Sequence, residues 1–337
     1  MSLDSLTDLF LPEIEDSLKT MLDQSITLDY SGMKEMMSYH MGWDLNKTVS
    51  TGKGKRIRPI ILLLCSKLCG ADWRKALPAA VALEYLHNFS LIHDDIEDHS
   101  DFRHGQPTIW KKWGIAQAIN TGDAMFSLSQ LAILDLGKTN PIIAYHAARL
   151  FNLTCLALTG GQHLDMLFES KTTISSDDYY QMISGKTAAL IAASTELGGI
   201  IAETSESTRM NLKAFGAALG IAFQAQDDYL GIWGEEKTTG KSTSLDLKTG
   251  KKTLPVVFVL EKNPDLQNVF GKLPENDEEI TERVELLEMN GAKDYTQDVT
   301  FHYSNLAKQS LNNINYKDED AYFSLNALIN KLLRRDK

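Results

Sequence analysis

Two acidic groups in this chain have the types and spacing to do chemistry. The stretch Glu84 to Asp98 reads E-Y-L-H-N-F-S-L-I-H-D-D-I-E-D and has no glycine or proline, so it reads as a buried helix with its acids at the C-terminal end. Residues four apart share a helix face, which stacks Asp94 over Asp98 and turns Asp95 elsewhere. Two aligned carboxylates at the negative end of a helix repel each other and the dipole, so a cation belongs there. Oxygen-only ligands suit a hard ion, and Mg²⁺ is usually held by one or two carboxylates completed by water and substrate phosphates. A solvated acidic helix end is the alternative for one such motif alone. The stretch Phe215 to Gly231 repeats the design, with Gln224, Gln226, Asp227 and Asp228 at one end of an apolar run. Two acid-ended helices facing one another would serve one metal site.

A second set of residues points to anions. Lys53, Lys55, Arg56 and Arg58 crowd into six residues beside Gly52 and Gly54, just before a helix expected over Ile60 to Leu68 that Pro59 would open. A basic surface loop is the alternative. Arg103 and His104 lie in a turn, Phe102 to Trp110. Gln162 and Asp165 share a face of a helix expected over Pro141 to Phe168. Lys186, in G-K-T, interrupts an apolar face and is either snorkelling or held by a buried anion. Gly234 to Pro255 is hydrophilic and carries Lys241, Lys248, Lys251 and Lys252, which reads as a mobile lid.

The remaining elements must position these groups. Leu6, Phe10, Leu11, Ile14 and Leu18 mark an amphipathic first helix, in which Pro12 suits the opening turn. Others are expected over Ser31 to Trp43, Ile115 to Leu136, a stretch capped by Ser176 or Asp177, and around Val284 to Met289, Asp294 to Leu311 and Asp320 to Leu333. No alternating strand pattern survives, so the chain reads as all-α, a single domain over residues 1–337.

The 337 residues are 43% hydrophobic and 23% charged with a net charge of −11, which argues against a nucleic-acid partner. Cys65, Cys69 and Cys155 are odd in number and sit in apolar stretches, as buried free thiols of a reducing compartment do. No run of about 18 uncharged apolar residues is present, and Met1 to Phe10 carries Asp4 and Asp8 where a signal peptide would be basic and then apolar. A cytoplasmic location without a transmembrane segment is expected.

The ordered succession G-K-R-I-R-P, E-x-x-H-x-x-x-L-x-H-D-D-x-x-D, R-x-G-x-P-T, G-D, G-Q-x-x-D, K-T-A, F-Q-x-x-D-D, G-K and D-L-x-x-G-K-x-T-L-P, from about Gly52 to Pro255, resembles the trans-isoprenyl diphosphate synthases, or polyprenyl synthetases. The resemblance implies a large helical bundle of the isoprenoid synthase type with a central active-site cavity, usually a homodimer. It implies condensation of isopentenyl diphosphate with C5, C10 or C15 allylic diphosphates by ionisation, condensation and elimination. Asp94, Asp98 and Asp227 would coordinate three Mg²⁺ ions, and Lys186, Lys241, Arg103 and Lys251 would hold the allylic diphosphate. Thr187 and Gln224 would turn oxygen dipoles toward the allylic cation. Lys55, Arg58, His87 and His104 would hold isopentenyl diphosphate. Gln162 and Asp165 would orient Lys186 and metal waters, with Asp95 and Asp228 in support.

Three departures from the family pattern stand out. Many relatives have arginine where His104 stands, so His104→Arg is expected to lower the apparent KM for isopentenyl diphosphate, measured by initial rates. Gly231 replaces a third aspartate. Ser242 to Ser244 stand where proline and glycine are common. For product length, Phe89 lies about 7.5 Å back from Asp94 along the helix axis and would floor the pocket, with Leu86 a turn deeper. Ser90 is small, without the bulk of farnesyl (C15) enzymes, so geranylgeranyl diphosphate (C20) is the expected product. Ordinary core packing is the alternative for Phe89. Farnesyl or C25 and longer products, a non-catalytic subunit of a heteromeric synthase, and a class I terpene cyclase are the competing functions.

Overall fold

The computed structural model describes residues 1–43, 54–234 and 245–333. Helices dominate, as the sequence requires. The chain forms two compact units, one of residues 1–151, 197–204 and 316–321, the other of 152–196, 205–315 and 322–337.

In the first unit, α1 (Leu3–Ser25) buries Leu3, Leu6, Phe10, Ile14, Leu18 and Leu22 along one stripe. Pro12 is inside this helix rather than in its opening turn. Its ring lies on the exposed side, where water can take the carbonyl that loses its N–H partner. Next come α2 (Ser31–His40), α3 (Ile57–Leu68) and α4 (Leu77–Glu97). α4 is the centre of this unit, packed against α1, α3 and α6 (Ile115–Leu134). Its residues Ala79 to Leu86 are all buried. Tyr85 donates to the Leu18 carbonyl at 2.7 Å, fixing α1 on α4.

The turn expected at 102–110 contains a small hairpin, β1 (Phe102–Arg103) with β2 (Gln106–Pro107), while the other regular elements among the described residues are helices. Both turn residues, His104 and Gly105, have positive φ, at 51° and 74°, as a two-residue hairpin whose twist matches its strands demands. Two-residue strands are too short to leave an alternating pattern. The hairpin is tied down by Tyr39, which donates to the Pro107 carbonyl at 2.8 Å, and by Thr108 and Trp110, which donate to that of Ser100 at 2.8 and 2.9 Å. It leads into α5 (Ile109–Trp113).

Among the described residues one helix, α7 (Pro141–Glu169), is by length and composition apolar enough to cross a membrane, with a third of its most apolar window buried. Reading for uninterrupted apolar runs misses it because Arg149 breaks the run.

In the second unit, α8 (Ser176–Ile183) is capped by Ser175, in a reciprocal box with Asp178, and not by Ser176 or Asp177. A π-helical turn, Ser184–Ala188, joins it to α9 (Ala189–Ile201). α10 (Glu206–Trp233) is the main axis here. It is followed by α11 (Leu245–Lys248), α12 (Leu254–Lys262), α13 (Gln267–Phe270), α14 (Asp277–Met289), α15 (Ala292–Asn312) and α16 (Glu319–Leu333). α10 packs chiefly on α15 and the π turn. Phe168, Tyr179, Ile183, Ala225, Leu254 and Val299 form the core beneath it. Cys65, Cys69 and Cys155 are buried thiols outside any disulfide.

Candidate active site

In the first unit the acids sit at the end of α4. Asp98 caps the helix, its N–H bonded to the Asp94 carbonyl at 2.8 Å, so the two carboxylates are one turn apart. Asp94 and Asp98 are partly exposed, whereas Asp95 is buried. Arg103, delivered by β1, donates from Nε to both oxygens of Asp95 at 3.0 Å and from Nη2 to Oδ1 at 2.8 Å. Its Nη2 also lies 4.0 Å from Asp94 Oδ2. Burial raises the Asp95 pKa and the Arg103 contacts oppose the rise. Arg103 thus spans two neighbouring carboxylates of the motif.

The basic loop divides. Lys55 is exposed and Arg58 half-buried, but Arg56 turns inward. It adopts a left-handed backbone, φ 48°, and donates to Glu15 and Glu84 at 2.7 Å each. This corrects the reading of Arg56 as one of the anion-binding cations. A guanidinium taken out of water needs paired carboxylates, and these two supply them. Lys53 lies outside the described residues.

His87 lies half-buried on α4. Burial, then Arg58, Arg103, His40 and Arg56, drive its pKa well below the usual range, so it is a neutral N–H donor among cations. His40 on α2, which sequence reasoning missed, is likewise pushed down to about 3 by burial and then by Arg103, His104 and Arg56. A lone histidine in a short helix carried no signal. His104 is exposed at the hairpin tip.

On the same helix, Phe89 contacts Phe126 of α6 with ring centroids 5.1 Å apart and His93 at 4.8 Å. A Cβ on Gly122 would overlap the His93 ring, which accounts for the G-D glycine. Leu86 is fully buried, and Ser90 folds its hydroxyl onto the His87 carbonyl at 2.8 Å. Phe126 was not singled out from sequence, because one phenylalanine in an apolar helix reads as core.

In the second unit, Lys186 sits in the π turn and pairs with Asp165 of α7. The backbones meet there without side chains between them. A Cβ on Gly161 would overlap the Lys186 nitrogen, and one on Gly185 would lie 2.6 Å from the Ala157 carbonyl oxygen. π turns recur at functional positions because they re-aim side chains within a helix. The next residue, Thr187, donates to Gln224 Oε1 at 2.6 Å, and Gln224 Nε2 donates to Asp228 Oδ1 at 2.9 Å. Asp228 is buried and also accepts from the Tyr179 hydroxyl at 2.6 Å and the Leu254 N–H at 2.7 Å. Burial pushes its pKa up to about 7, against the pull of those three donors. Asp227 is more open than Asp228. Gln162 is half-buried on α7, and Lys251 half-buried just before α12.

The place of the missing third aspartate is filled. A Cβ on Gly231 would overlap Asp246 Oδ2, and the carboxyl carbon of Asp246 lies 3.0 Å from that point. Asp246 belongs to the D-L-x-x-G-K motif but had been given no role. Of the expected lid, residues 235–244, Lys241 and Ser242 to Ser244 among them, lie outside the described residues, and the described part includes the short helix α11.

Among the described residues no three His, Cys, Asp or Glu side chains converge as a metal cage. Mg²⁺ does not need one: one or two carboxylates completed by water and phosphate oxygens are its ordinary holding. The partly exposed carboxylates of Asp94, Asp98 and Asp227 fit that chemistry.

Residues 44–287 match the family model described as polyprenyl synthetase. A (2E,6E)-farnesyl diphosphate synthase of Mycobacterium bovis is 39% identical over 271 residues, covering 77% of this chain and 75% of its own. A geranylgeranyl diphosphate synthase of Saccharolobus solfataricus is 33% identical over 343 residues, spanning both chains entirely. Among solved structures, a polyprenyl synthetase from Streptomyces coelicolor A3(2) has a TM-score of 0.88 at 31% identity, covering 97% of this chain and 99% of that one. Fold and motifs together define the class, an all-α transferase of prenyl groups. The chain belongs to the polyprenyl synthetase family.

Proposed function

We propose that this chain is a short-chain synthase that adds isopentenyl diphosphate to allylic diphosphates and releases geranylgeranyl diphosphate (C20) as its main product. The observation that carries the reading is the end of α4, where Asp94 and Asp98 stay partly exposed one turn apart while Arg103 pairs with the buried Asp95. Asp94, Asp98 and Asp227 would hold Mg²⁺, expected as three ions, which when bound supplies electrophilic assistance to loss of the diphosphate.

Arg103, Lys186 and Lys251, with Lys241, would place positive charge on the departing diphosphate. Thr187 Oγ1 and Gln224 Oε1 would present the negative ends of their dipoles to the allylic carbon as it becomes cationic. Lys55 and Arg58 would grip isopentenyl diphosphate, with neutral His87 donating a hydrogen bond and His104 nearby. Asp165 and Gln162 would hold Lys186 in its direction.

Chain length would be set by Phe89 together with Phe126, an aromatic pair that a growing tail must displace. Ser90 beside it leaves room for C20 over C15, although relatives with either product name match this chain. A homodimer is supported by exposed apolar residues, Ile115, Ile119, Leu131 and Leu134 on α6 and Ile142, Tyr145, Leu153 and Leu156 on α7. A single catalytic domain and a cytoplasmic location complete the reading.

The test incubates the protein with Mg²⁺, isopentenyl diphosphate and, separately, C5, C10 and C15 allylic diphosphates, then sizes the dephosphorylated alcohols. A dominant C20 alcohol is expected. A C15 or C25 ceiling overturns the product assignment, cyclic hydrocarbons favour a cyclase, and no turnover points to a non-catalytic subunit.

A further inference from the structure

One hydrogen-bond network in the second unit ties together three motifs that are far apart in sequence. Thr187 of the π turn donates to Gln224, Gln224 donates to Asp228, and Asp228 accepts from the Leu254 N–H at the start of α12. The fourth member, Tyr179 on α8, belongs to no motif. It is 1% exposed, and its hydroxyl donates to Asp228 Oδ2 at 2.6 Å.

The network fixes which way the Gln224 amide points. In its ionised form Asp228 only accepts, so it faces the NH₂ end of Gln224, and the oxygen end is then directed toward Thr187. With the amide turned over, the NH₂ group would face Thr187 and whatever positive charge develops there. Two donors independent of Gln224 hold Oδ2, the Tyr179 hydroxyl and the Leu254 N–H, and with Oδ2 so anchored Oδ1 is the oxygen presented to Gln224.

We propose that Tyr179 is a positioning residue for prenyl transfer: by anchoring the Asp228 carboxylate it locks the Gln224 amide with its oxygen directed to Thr187. The inference rests on the transferase reading and adds to it a residue outside the motifs. Dipoles aimed before reaction need no reorganisation when charge appears, so the loss should fall on the chemical step rather than on binding.

The test is Tyr179→Phe, which removes one hydroxyl and keeps the ring in the core, alongside Asp228→Asn and the double variant. With C15 allylic diphosphate, Tyr179→Phe should lower kcat about tenfold and leave both KM values within about twofold, the pattern of an interaction made only in the transition state. Asp228→Asn turns an NH₂ group toward Gln224 and inverts its amide, so it should lower kcat further. In that background Tyr179→Phe should cost nothing more.

Wild-type kcat in Tyr179→Phe overturns the inference, as does a KM rise without a kcat change, or additive losses in the double variant. If Tyr179→Phe fails to fold, judged by its thermal melt, the Asp228→Asn kinetics decide, and an unchanged kcat there overturns the inference. A wild-type protein that elongates nothing fails the transferase reading instead, which keeps the two failures separate.

Discussion

Gly231→Ala should separate stability from activity. Gly231 lies in the last turn of α10, where alanine is favoured over glycine by about 0.5–1 kcal/mol. The added methyl would occupy the position of Asp246 Oδ2, so the carboxylate must retreat by at least about 1 Å to reach van der Waals distance. Asp246 stands where the family pattern has a third acid, and its charge helps raise the pKa of Asp228 one turn away. A displaced Asp246 should lower kcat about tenfold, equivalent to about 1.4 kcal/mol of barrier, while the melting temperature holds or rises. Gly231→Asp, which restores the family residue, should be worse. Two carboxylates about 4 Å apart repel by about 4 kcal/mol at an effective dielectric of 20. Initial rates of labelled isopentenyl diphosphate incorporation, read beside thermal melts, give both quantities. A Gly231→Ala enzyme with wild-type kcat, or a Gly231→Asp enzyme faster than wild type, would refute a role for Asp246 at this position.

Other expectations follow from the same geometry. Phe89→Ala, and separately Phe126→Ala, should lengthen the product by one or two C5 units, read by chromatography of the dephosphorylated alcohols; an unaltered spectrum removes the pair as the floor. Arg56→Met should cost about 3–5 kcal/mol in urea unfolding, because it leaves Glu15 and Glu84 without their buried cation; a loss under about 1 kcal/mol contradicts the clamp. The His40 pKa is held near 3 in the folded protein against 6.5 ordinarily, so the unfolded chain binds the extra proton. Its contribution is present above pH 6.5 and lost as pH falls toward 3. Between pH 7 and 5 that loss is about 2 kcal/mol at most, and nearer 1 because the residue is only half-buried. His40→Gln should flatten the pH dependence of the urea midpoint by this amount, and parallel curves for the two proteins would exclude it.

The helices and their acid ends were legible because each carries its own periodicity and its own charges. The places of Asp94 and Asp98 at the end of α4 need only spacing and order, whereas α10 runs on past Asp227 to Trp233 and the pairing of Lys186 with Asp165 was implied only by the family resemblance. What stayed hidden depends on contacts between segments distant in sequence. Arg56 looks like its neighbours Lys55 and Arg58 until α1 and α4 bring Glu15 and Glu84 to it. Tyr179 and Phe126 are ordinary apolar-face residues until Asp228 and Phe89 are placed against them. Gly231 reads as a lost acid because nothing in the sequence says that Asp246, fifteen residues on, returns to fill the space. Pro12 misled because the rule against mid-helix proline is strongest where no water can reach the freed carbonyl.

The contact between Gly161 and Gly185 divides this protein into parts that can and cannot change. Because bare backbone meets bare backbone there, the location of Lys186 relative to α7 is a property of two missing side chains and not of any packing that could be re-optimised around a larger residue. Those two codons should stay silent in a library selected for altered products, while substitutions accumulate freely around Phe89 and Phe126. An ancestor could therefore drift among chain lengths without ever reopening the question of where its lysine sits.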